Sequence, residues 1–478
     1  MRLLLYLAGL AINALTSLHV VLYKRDARAA AGWIGLIWLA PLGVGPVLYF
    51  LLGINRIRRK ARRLMDSGAL GRAPGGVPGG APERPALPPR PVEPLAALRE
   101  VGDRVNPWPL LPGNIVTPLV NGDAAFPAML EAIRGARRSV TLTTFLFGND
   151  PLGREFVDAL AQAHARQVAV RVLVDWVGLH YSFPSVRGRL RAAGVPMATF
   201  LPSRQPWQGG LLNLRSHRKL LVVDGAVAFT GGMNLRQGHW LGRNPPRPIA
   251  DLHFRVEGPV VGSLQEVFAG DWEYAAGERL EGDPWFPAAS GGAPGGEVLA
   301  RAVPDGPDSE SERIRWLIQG ALAAARRSVL VMTPYFVPDT GLVTVLNTAA
   351  LRGVATEIIL PERSNLAWVQ WASRAMLWQV LEKGCRIWFS PPPFEHTKLL
   401  IVDSRWVLCG SSNWDHRSLR LNFELDLECF DDRLAAGLEG YFRGRQAGSR
   451  EVTLHEMDSR PLPARVRDGV ARLLSPYL

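Results

Sequence analysis

Three side-chain types recur in this chain at one fixed spacing. His217, Lys219 and Asn234 form the first set; His396, Lys398 and Asn413 form the second. Asp224 and Asp403 stand at matching places, and each set reads H-x-K-x4-D-x6-G-x-x-N. A neutral imidazole serves as nucleophile, acid or base near neutral pH. Lysine and asparagine donate to charge building on the non-bridging oxygens of a phosphate. The combination suits displacement at a phosphodiester. One histidine attacks phosphorus; the other protonates the departing alcohol, then activates the incoming alcohol or water. This scheme needs neither metal nor cofactor. A single H-x-K is common by chance, but two copies with glycine and asparagine at one offset are not.

Strands must present these groups. Residues i and i+2 of a strand share a face, so His217 points with Lys219 and His396 with Lys398. Asp224 and Asp403 are expected to end these strands or hold a turn rather than touch substrate. Each asparagine returns on a neighbouring strand through the bend at Gly231-Gly232 or Gly410. Apolar periodicity predicts helices over 125–137 and 153–167, with strands over 139–147 and 168–174. The plan restarts with a helix over 314–325, strands over 356–360 and 386–389, and a helix over 365–383. Ala136-Arg137-Arg138-Ser139-Val140 recurs 189 residues later as Ala325-Arg326-Arg327-Ser328-Val329, and the two motifs lie 179 residues apart. The alternation predicts an α/β fold with largely parallel strands. Two similar halves would then face each other across a pseudo-two-fold, with one motif from each side in a shared site.

Composition narrows the setting. A chain of 478 residues, 47% hydrophobic and 21% charged, is globular and suits two domains. Cys385, Cys409 and Cys429 give no disulfide or zinc spacing and read as reduced thiols. The net charge is +12, and ten basic residues lie within residues 1–63 against Asp26 alone. A nucleic-acid enzyme would carry this excess on its folded domain. Here it flanks apolar segments, which points to anionic lipid head groups. Residues 3–23 and 29–55 carry no formal charge, and each run exceeds the roughly 20 residues that cross a bilayer. They predict a membrane hairpin, kinked or re-entrant at Pro41, Gly43, Gly45 and Pro46. The basic cluster at 56–63 outweighs the connection at 24–28, which places the rest of the chain in the cytoplasm. Fifteen tryptophans, Trp368, Trp371, Trp378 and Trp388 among them, suit a lipid surface as well as a core.

The duplicated motif closely resembles the HKD signature of the phospholipase D superfamily. The basic-flanked hairpin, Asp251-Leu252-His253-Phe254-Arg255-Val256-Glu257-Gly258-Pro259 and Arg417-Ser418-Leu419-Arg420-Leu421-Asn422-Phe423-Glu424 resemble bacterial cardiolipin synthases. The resemblance implies a membrane hairpin with basic flank at 1–63 and a Gly/Pro-rich linker at 64–100. Phospholipase D-like αβ halves with mixed sheets follow at 101–281 and 309–478, joined by a linker at 282–308. It also implies transfer of a phosphatidyl group between two phosphatidylglycerols, giving cardiolipin and glycerol. The enzyme would be a multi-pass protein of the bacterial inner membrane with a cytoplasmic catalytic part. Its partners would be anionic phospholipids, with no nucleic acid, no metal and no cofactor.

By the same resemblance His217 is the nucleophile, forming a phosphohistidine, and His396 the acid and base. A carboxylate orients each histidine in this family. Glu424, 28 residues after His396, stands in a matching Asn-Phe-Glu context, and Asp251, 34 after His217, is the analogous residue. The chain departs from the family at Leu235-Arg236-Gln237-Gly238-His239-Trp240, and at Glu395 and Thr397 beside His396. These positions are expected to line the pocket for the accepting alcohol. The rivals are another phospholipase D-type transferase or hydrolase with a different donor or acceptor, a tethered nuclease, and an inactive scaffold.

Overall fold

The computed structural model describes residues 2–24, 27–40, 43–50, 95–202, 214–287, 293–307 and 312–475. They fall into two units, Met1–Lys60 and Ala61–Leu478.

In the first unit the leading charge-free run is helical, Arg2–Tyr23. Its 22 residues span about 33 Å, enough for a hydrocarbon core of about 30 Å. The second run does not make one long helix. Its helix, Ala27–Leu39, has 13 residues and reaches about 20 Å. The chain then turns through Gly43, at a φ of 74°, into the short helix Val44–Leu48. Gly45 permits the return, since a Cβ there would sit 2.5 Å from the Ile37 Cα. Residues 51–55 of the predicted run lie outside the described residues. Among the described residues, Arg2–Tyr23 is therefore the helix long and apolar enough to span.

The second unit is built on a 16-stranded mixed sheet. The strands of the first half are β1 (Leu111–Val120), β2 (Ser139–Thr144), β3 (Ala169–Asp175), β4 (Met197–Phe200), β5 (Arg215–Ser216), β6 (Leu220–Val223), β7 (Val227–Gly231), β8 (Ile249–Ala250) and β9 (Leu252–Glu257). Those of the second are β10 (Val298–Asp305), β11 (Ser328–Met332), β12 (Phe336–Val337), β13 (Ala355–Pro361), β14 (Arg386–Ser390), β15 (Phe394–Glu395), β16 (Leu399–Val402), β17 (Trp406–Gly410), β18 (Trp414–Asp415), β19 (Asn422–Phe430) and β20 (Arg450–Val452). β1 and β10 pair antiparallel at the middle. Outward from β1 the order is β9, β7, β6, β2, β3, β4; outward from β10 it is β19, β17, β16, β11, β13, β14. Along this order the parallel pairs are the outer ones, β2–β3–β4 and β11–β13–β14; the short strands β5, β8 and β12 also pair in parallel, with β19, β15 and β18. The motif strands β6 and β16 run antiparallel to their neighbours, so the expectation of largely parallel sheets is corrected to mixed ones.

This unit has two separate cores. Phe126, Leu142, Phe156, Leu221 and Phe229 fill one; Leu317, Val331, Leu346, Ile387 and Trp406 fill the other. Asp150 caps helix Pro151–Ala165, and Asp339 caps helix Thr340–Leu351 in the same way, through a backbone N–H three residues on.

Both predicted linkers contain structure. The segment at 282–308 holds β10, whose eight residues are all buried at the centre of the sheet. Its glycines and Pro304 hid it, as Pro112, Gly113 and Pro118 hid β1. Arg301 is fully buried on β10 because it pairs with Glu428 and Asp103, each at 2.7 Å. The end of the segment at 64–100 enters helix Ala96–Val105, and Leu98 is buried in the second core beside helix Arg313–Ala324. Residues 64–94 lie outside the described residues.

Candidate active site

Each motif histidine follows a two-residue strand that reaches across to the other half. β5 pairs with the start of β19, Ser216 against Phe423. β15 pairs with β8, Glu395 against Ala250. The next residue continues each pairing: the His217 N–H donates to Phe423 O and the His396 N–H to Ala250 O, both at 2.8 Å. Each histidine is thereby set beside the residue after the carbonyl it bonds, Glu424 after Phe423 and Asp251 after Ala250. His217 Nδ1 lies 3.0 Å from Glu424 Oε2, and His396 Nδ1 lies 2.7 Å from Asp251 Oδ2. The carboxylates are exchanged relative to their order in the chain. Glu424, downstream of His396, holds His217; Asp251, downstream of His217, holds His396.

Glu424 is fully buried and fully used. Ser411 Oγ donates to it at 2.5 Å, Ser418 Oγ at 2.6 Å and Asn422 Nδ2 at 3.0 Å. Burial alone would raise its pKa, but the His217 charge and hydrogen bond, with Lys219 and Ser411, bring it below the ordinary value. An ionised carboxylate only accepts, so His217 carries its proton on Nδ1 and leaves the Nε2 lone pair free. Burial lowers the His217 pKa, against the opposing pull of Glu424, and Lys219 and Lys398 lower it further. The ring is a neutral base at neutral pH.

His396 is pushed further down by burial, then by Lys398, Lys219 and His217. His217 Nδ1 also lies 3.1 Å from the carbonyl of Ser411, between Gly410 and Asn413, so the two motifs meet. Burial raises the pKa of Asp251, while Lys398 and His239 oppose that rise. The Lys398 ammonium lies 2.9 Å from His396 Nδ1 and also donates to the His396 carbonyl. Nδ1 can donate to Asp251 or accept from Lys398, and the shorter contact to the acceptor-only carboxylate assigns it as donor. Lys219 Nζ donates to the His217 carbonyl at 2.6 Å. Burial brings the Lys219 pKa down to about 7 and that of Lys398 to about 8. Asn234 Oδ1 accepts from the Leu146 N–H at 3.1 Å, which aims its amide N–H groups away from that turn. Asn413 is buried and its Oδ1 has no hydrogen-bond partner among the described residues.

The aspartates of the motifs stand apart from this cluster. Both adopt a φ of 54° at the end of their strands. Asp224 accepts from the N–H groups of Arg137, Arg138 and Ser139; Asp403 accepts from those of Arg326, Arg327 and Ser328. The repeated Ala-Arg-Arg-Ser-Val stretch is thus the partner of the repeated aspartate.

A cleft of about 780 Å³ is lined by Leu146, whose N–H donates to Asn234, and by Phe394, whose ring centre lies 5.7 Å from that of His396. Arg236 and Arg247 line it from the first half, Arg363 and Phe394 from the second. The aspartate in its lining, Asp150, is engaged by the N–H groups of Gly153 and Gln237. The cleft therefore favours an anion.

The family described as "Cardiolipin synthase, PLD-like domain" matches residues 129–272 and 318–445, which carry both motifs. Cardiolipin synthase A of Pseudomonas fluorescens strain SBW25 is 35% identical over 98% of this chain and 96% of its own length. The chain belongs to the cardiolipin synthase family. It is an enzyme of the phosphatidyltransferase class. Major cardiolipin synthase ClsA of Bacillus subtilis strain 168 is 31% identical over 98% of this chain and 97% of that protein. Phosphatidylserine synthase of Haemophilus influenzae shares the fold, with a TM-score of 0.61 at 15% identity over 80% of this chain and all of that one.

The positions where this chain departs from the family pattern divide. Arg236 lines the cleft, as expected. Glu395 and Thr397 do not; both are fully buried, Glu395 against Arg445 at 2.7 Å. His239 is also buried, 3.9 Å from Asp251 Oδ2, at the same offset from Asn234 as Ser418 from Asn413. His239, Asp251 and His396 offer ligand atoms within 4.8 Å of one another. The Lys398 ammonium beside His396 and Lys219 nearby repel a cation there. Ser411, Ser418 and Asn422 were missed in the sequence. The signal available was three small polar residues close to Glu424, the first of three acidic residues that alternate with apolar ones along β19.

Proposed function

We propose that this chain transfers a phosphatidyl group from one phosphatidylglycerol to another, giving cardiolipin and glycerol. The observation that carries this reading is the reciprocal pairing of two histidines with two carboxylates in one buried pocket, in a chain of this family. His217 Nε2 attacks phosphorus, and the bond from phosphorus to the glycerol oxygen breaks. His396 gives that oxygen its proton. The hydroxyl of a second phosphatidylglycerol then loses its proton to His396 and attacks the phosphohistidine, releasing His217.

Lys219, Lys398, Asn234 and Asn413 donate to the non-bridging oxygens throughout. His396 must be protonated for the first step, and burial works against that. The bound diester supplies the compensating negative charge. The buried, ionised Glu424 supports His217 as nucleophile, because it stabilises the imidazolium character of the phosphorylated ring.

In this reading the halves at 101–281 and 309–478 are related by a pseudo-two-fold; the matching strand orders and the twin Asp224 and Asp403 clusters support it. The N-terminal segment, residues 1–63, embeds the enzyme in the inner membrane as a hairpin with the catalytic part cytoplasmic. The apolar helix and the basic cluster at 56–63 support that arrangement. Anionic phospholipids are the partners and nucleic acid is not, and no metal or cofactor takes part.

The test is to incubate the purified full-length enzyme with phosphatidylglycerol alone, then with phosphatidylethanolamine added, and to identify the lipids. Cardiolipin and glycerol from phosphatidylglycerol alone support the reading. Phosphatidic acid as the main product would make it a hydrolase, and cardiolipin only with phosphatidylethanolamine would change the donor.

A further inference from the structure

The final helix, Leu462–Leu473, packs with its polar side inward. Ala471 is buried against Val369 and Ala372 of helix Ala367–Arg374. Asp468 is 1% exposed and held by Arg460 and Arg467, each at 2.7 Å. The outward side is apolar. Leu462, Val466, Val470 and Leu473 are 71%, 56%, 50% and 72% exposed. At about 100° per residue they fall within an arc of about 80°. Arg465 and Arg472 edge that arc on one side and Arg467 on the other. A solvated helix turns the opposite way, with its apolar stripe inside. An outward stripe bordered by arginines is the pattern of a helix lying in a membrane interface.

The neighbouring helix extends this surface. Trp368 is half exposed and its ring meets Trp371 at 5.3 Å; Trp371 in turn lies under the Arg467 guanidinium at 4.7 Å. Leu366, just before that helix, is 48% exposed and lines the cleft with Arg363. Leu366 stands two residues before Trp368, so the same helix entry joins this surface to the lining of the cleft.

We propose that the face formed by Leu462, Val466, Val470, Leu473 and Trp368 docks the catalytic unit on an anionic bilayer, holding the cleft mouth against its substrate. This rests on the reading that the substrate is a bilayer phospholipid. A bilayer fits better than a protein partner for two reasons. The arginine borders and the half-exposed tryptophan match head groups and the interfacial layer. The patch also opens onto the cleft that a lipid must enter.

The test uses the full-length protein in nanodiscs of phosphatidylglycerol and phosphatidylcholine. Cys385, Cys409 and Cys429 are all buried, so a thiol dye labels an introduced cysteine selectively. Dye at Val470→Cys should be quenched by lipids brominated on their acyl chains; dye at Arg433→Cys, whose side chain is 87% exposed, should not. An unquenched label at 470 overturns the proposal, and if its emission is nonetheless that of a buried dye, a second copy or another part of the chain covers the face. Quenching is read without turnover, so it stands apart from any failure of the donor and acceptor reading. The double variant Val466→Asp, Val470→Asp should keep its melting temperature. It should lose at least tenfold in rate on bilayer phosphatidylglycerol and keep its rate on a short-chain, monomeric analogue. Equal loss on both substrates, or on neither, would overturn the docking role.

Discussion

The exchange of carboxylates between halves makes a prediction that pairing by chain order reverses. Glu424→Gln keeps the shape but removes the charge behind His217, and it turns an amide N–H toward donors from Ser411, Ser418 and Asn422. With charge centres about 4 Å apart and an effective dielectric of about 20, the carboxylate stabilises a cationic ring by about 4 kcal/mol. That is about 10³ in the rate of forming the phosphohistidine. Asp251→Asn should instead impair proton transfer by His396. A substrate with p-nitrophenol as the leaving alcohol needs no proton on departure and separates the two. In a stopped-flow burst of nitrophenolate, Asp251→Asn should form the intermediate close to the parental rate, and Glu424→Gln should be slower by about 10³. A normal burst in Glu424→Gln with a slow one in Asp251→Asn would refute the exchanged pairing, and equal slowing of both would refute the separation of roles.

Other outcomes rest on the same geometry. Asp403→Ala strands three backbone N–H groups at about 1 kcal/mol each, so the denaturant midpoint should fall by the equivalent of about 3 kcal/mol while turnover of the folded fraction holds. Gly410→Ala should not yield folded protein, because its Cβ would lie 2.4 Å from Asp426 Oδ1 at a φ of 159°; Gly437→Ala, with nothing within 4 Å, should be tolerated in the same solubility and melting assays. Lys219 loses its proton as pH rises through about 7 and Lys398 through about 8, so kcat/KM should fall across that window. A bound phosphodiester favours the charged lysines, so the alkaline limb of kcat should lie higher; coincident limbs in the two profiles would contradict this.

The two motifs were legible in the sequence because they are stated twice at one spacing. Period-2 reasoning placed each histidine with its lysine, and the turn role of Asp224 and Asp403 followed from their position after apolar strands. The exchange of Glu424 and Asp251 was not legible, because it depends on the two-residue strands β5 and β15 reaching across to β19 and β8. Strands that short leave no periodic signal. β1 and β10 were hidden by Pro112, Gly113, Pro118 and Pro304, which read against a central strand, and by the charged Arg301, which Glu428 and Asp103 hold there. The second apolar run was long enough to span by composition, but Gly43 and Gly45 let the chain fold back within it. The roles of Glu395 and Thr397 were misjudged for a related reason. Their neighbour His396 faces the pocket, while alternation along the strand turns the flanking residues into the protein.

The identity of the nucleophile is best tested by trapping the intermediate. His396→Ala enzyme given phosphatidyl-p-nitrophenol can complete the first step without an acid but lacks the base for the second. Mass spectrometry of the quenched protein should find a phosphatidyl adduct on His217. No adduct on His217, or an adduct on His396 formed by the His217→Ala enzyme, would contradict the assignment of His217.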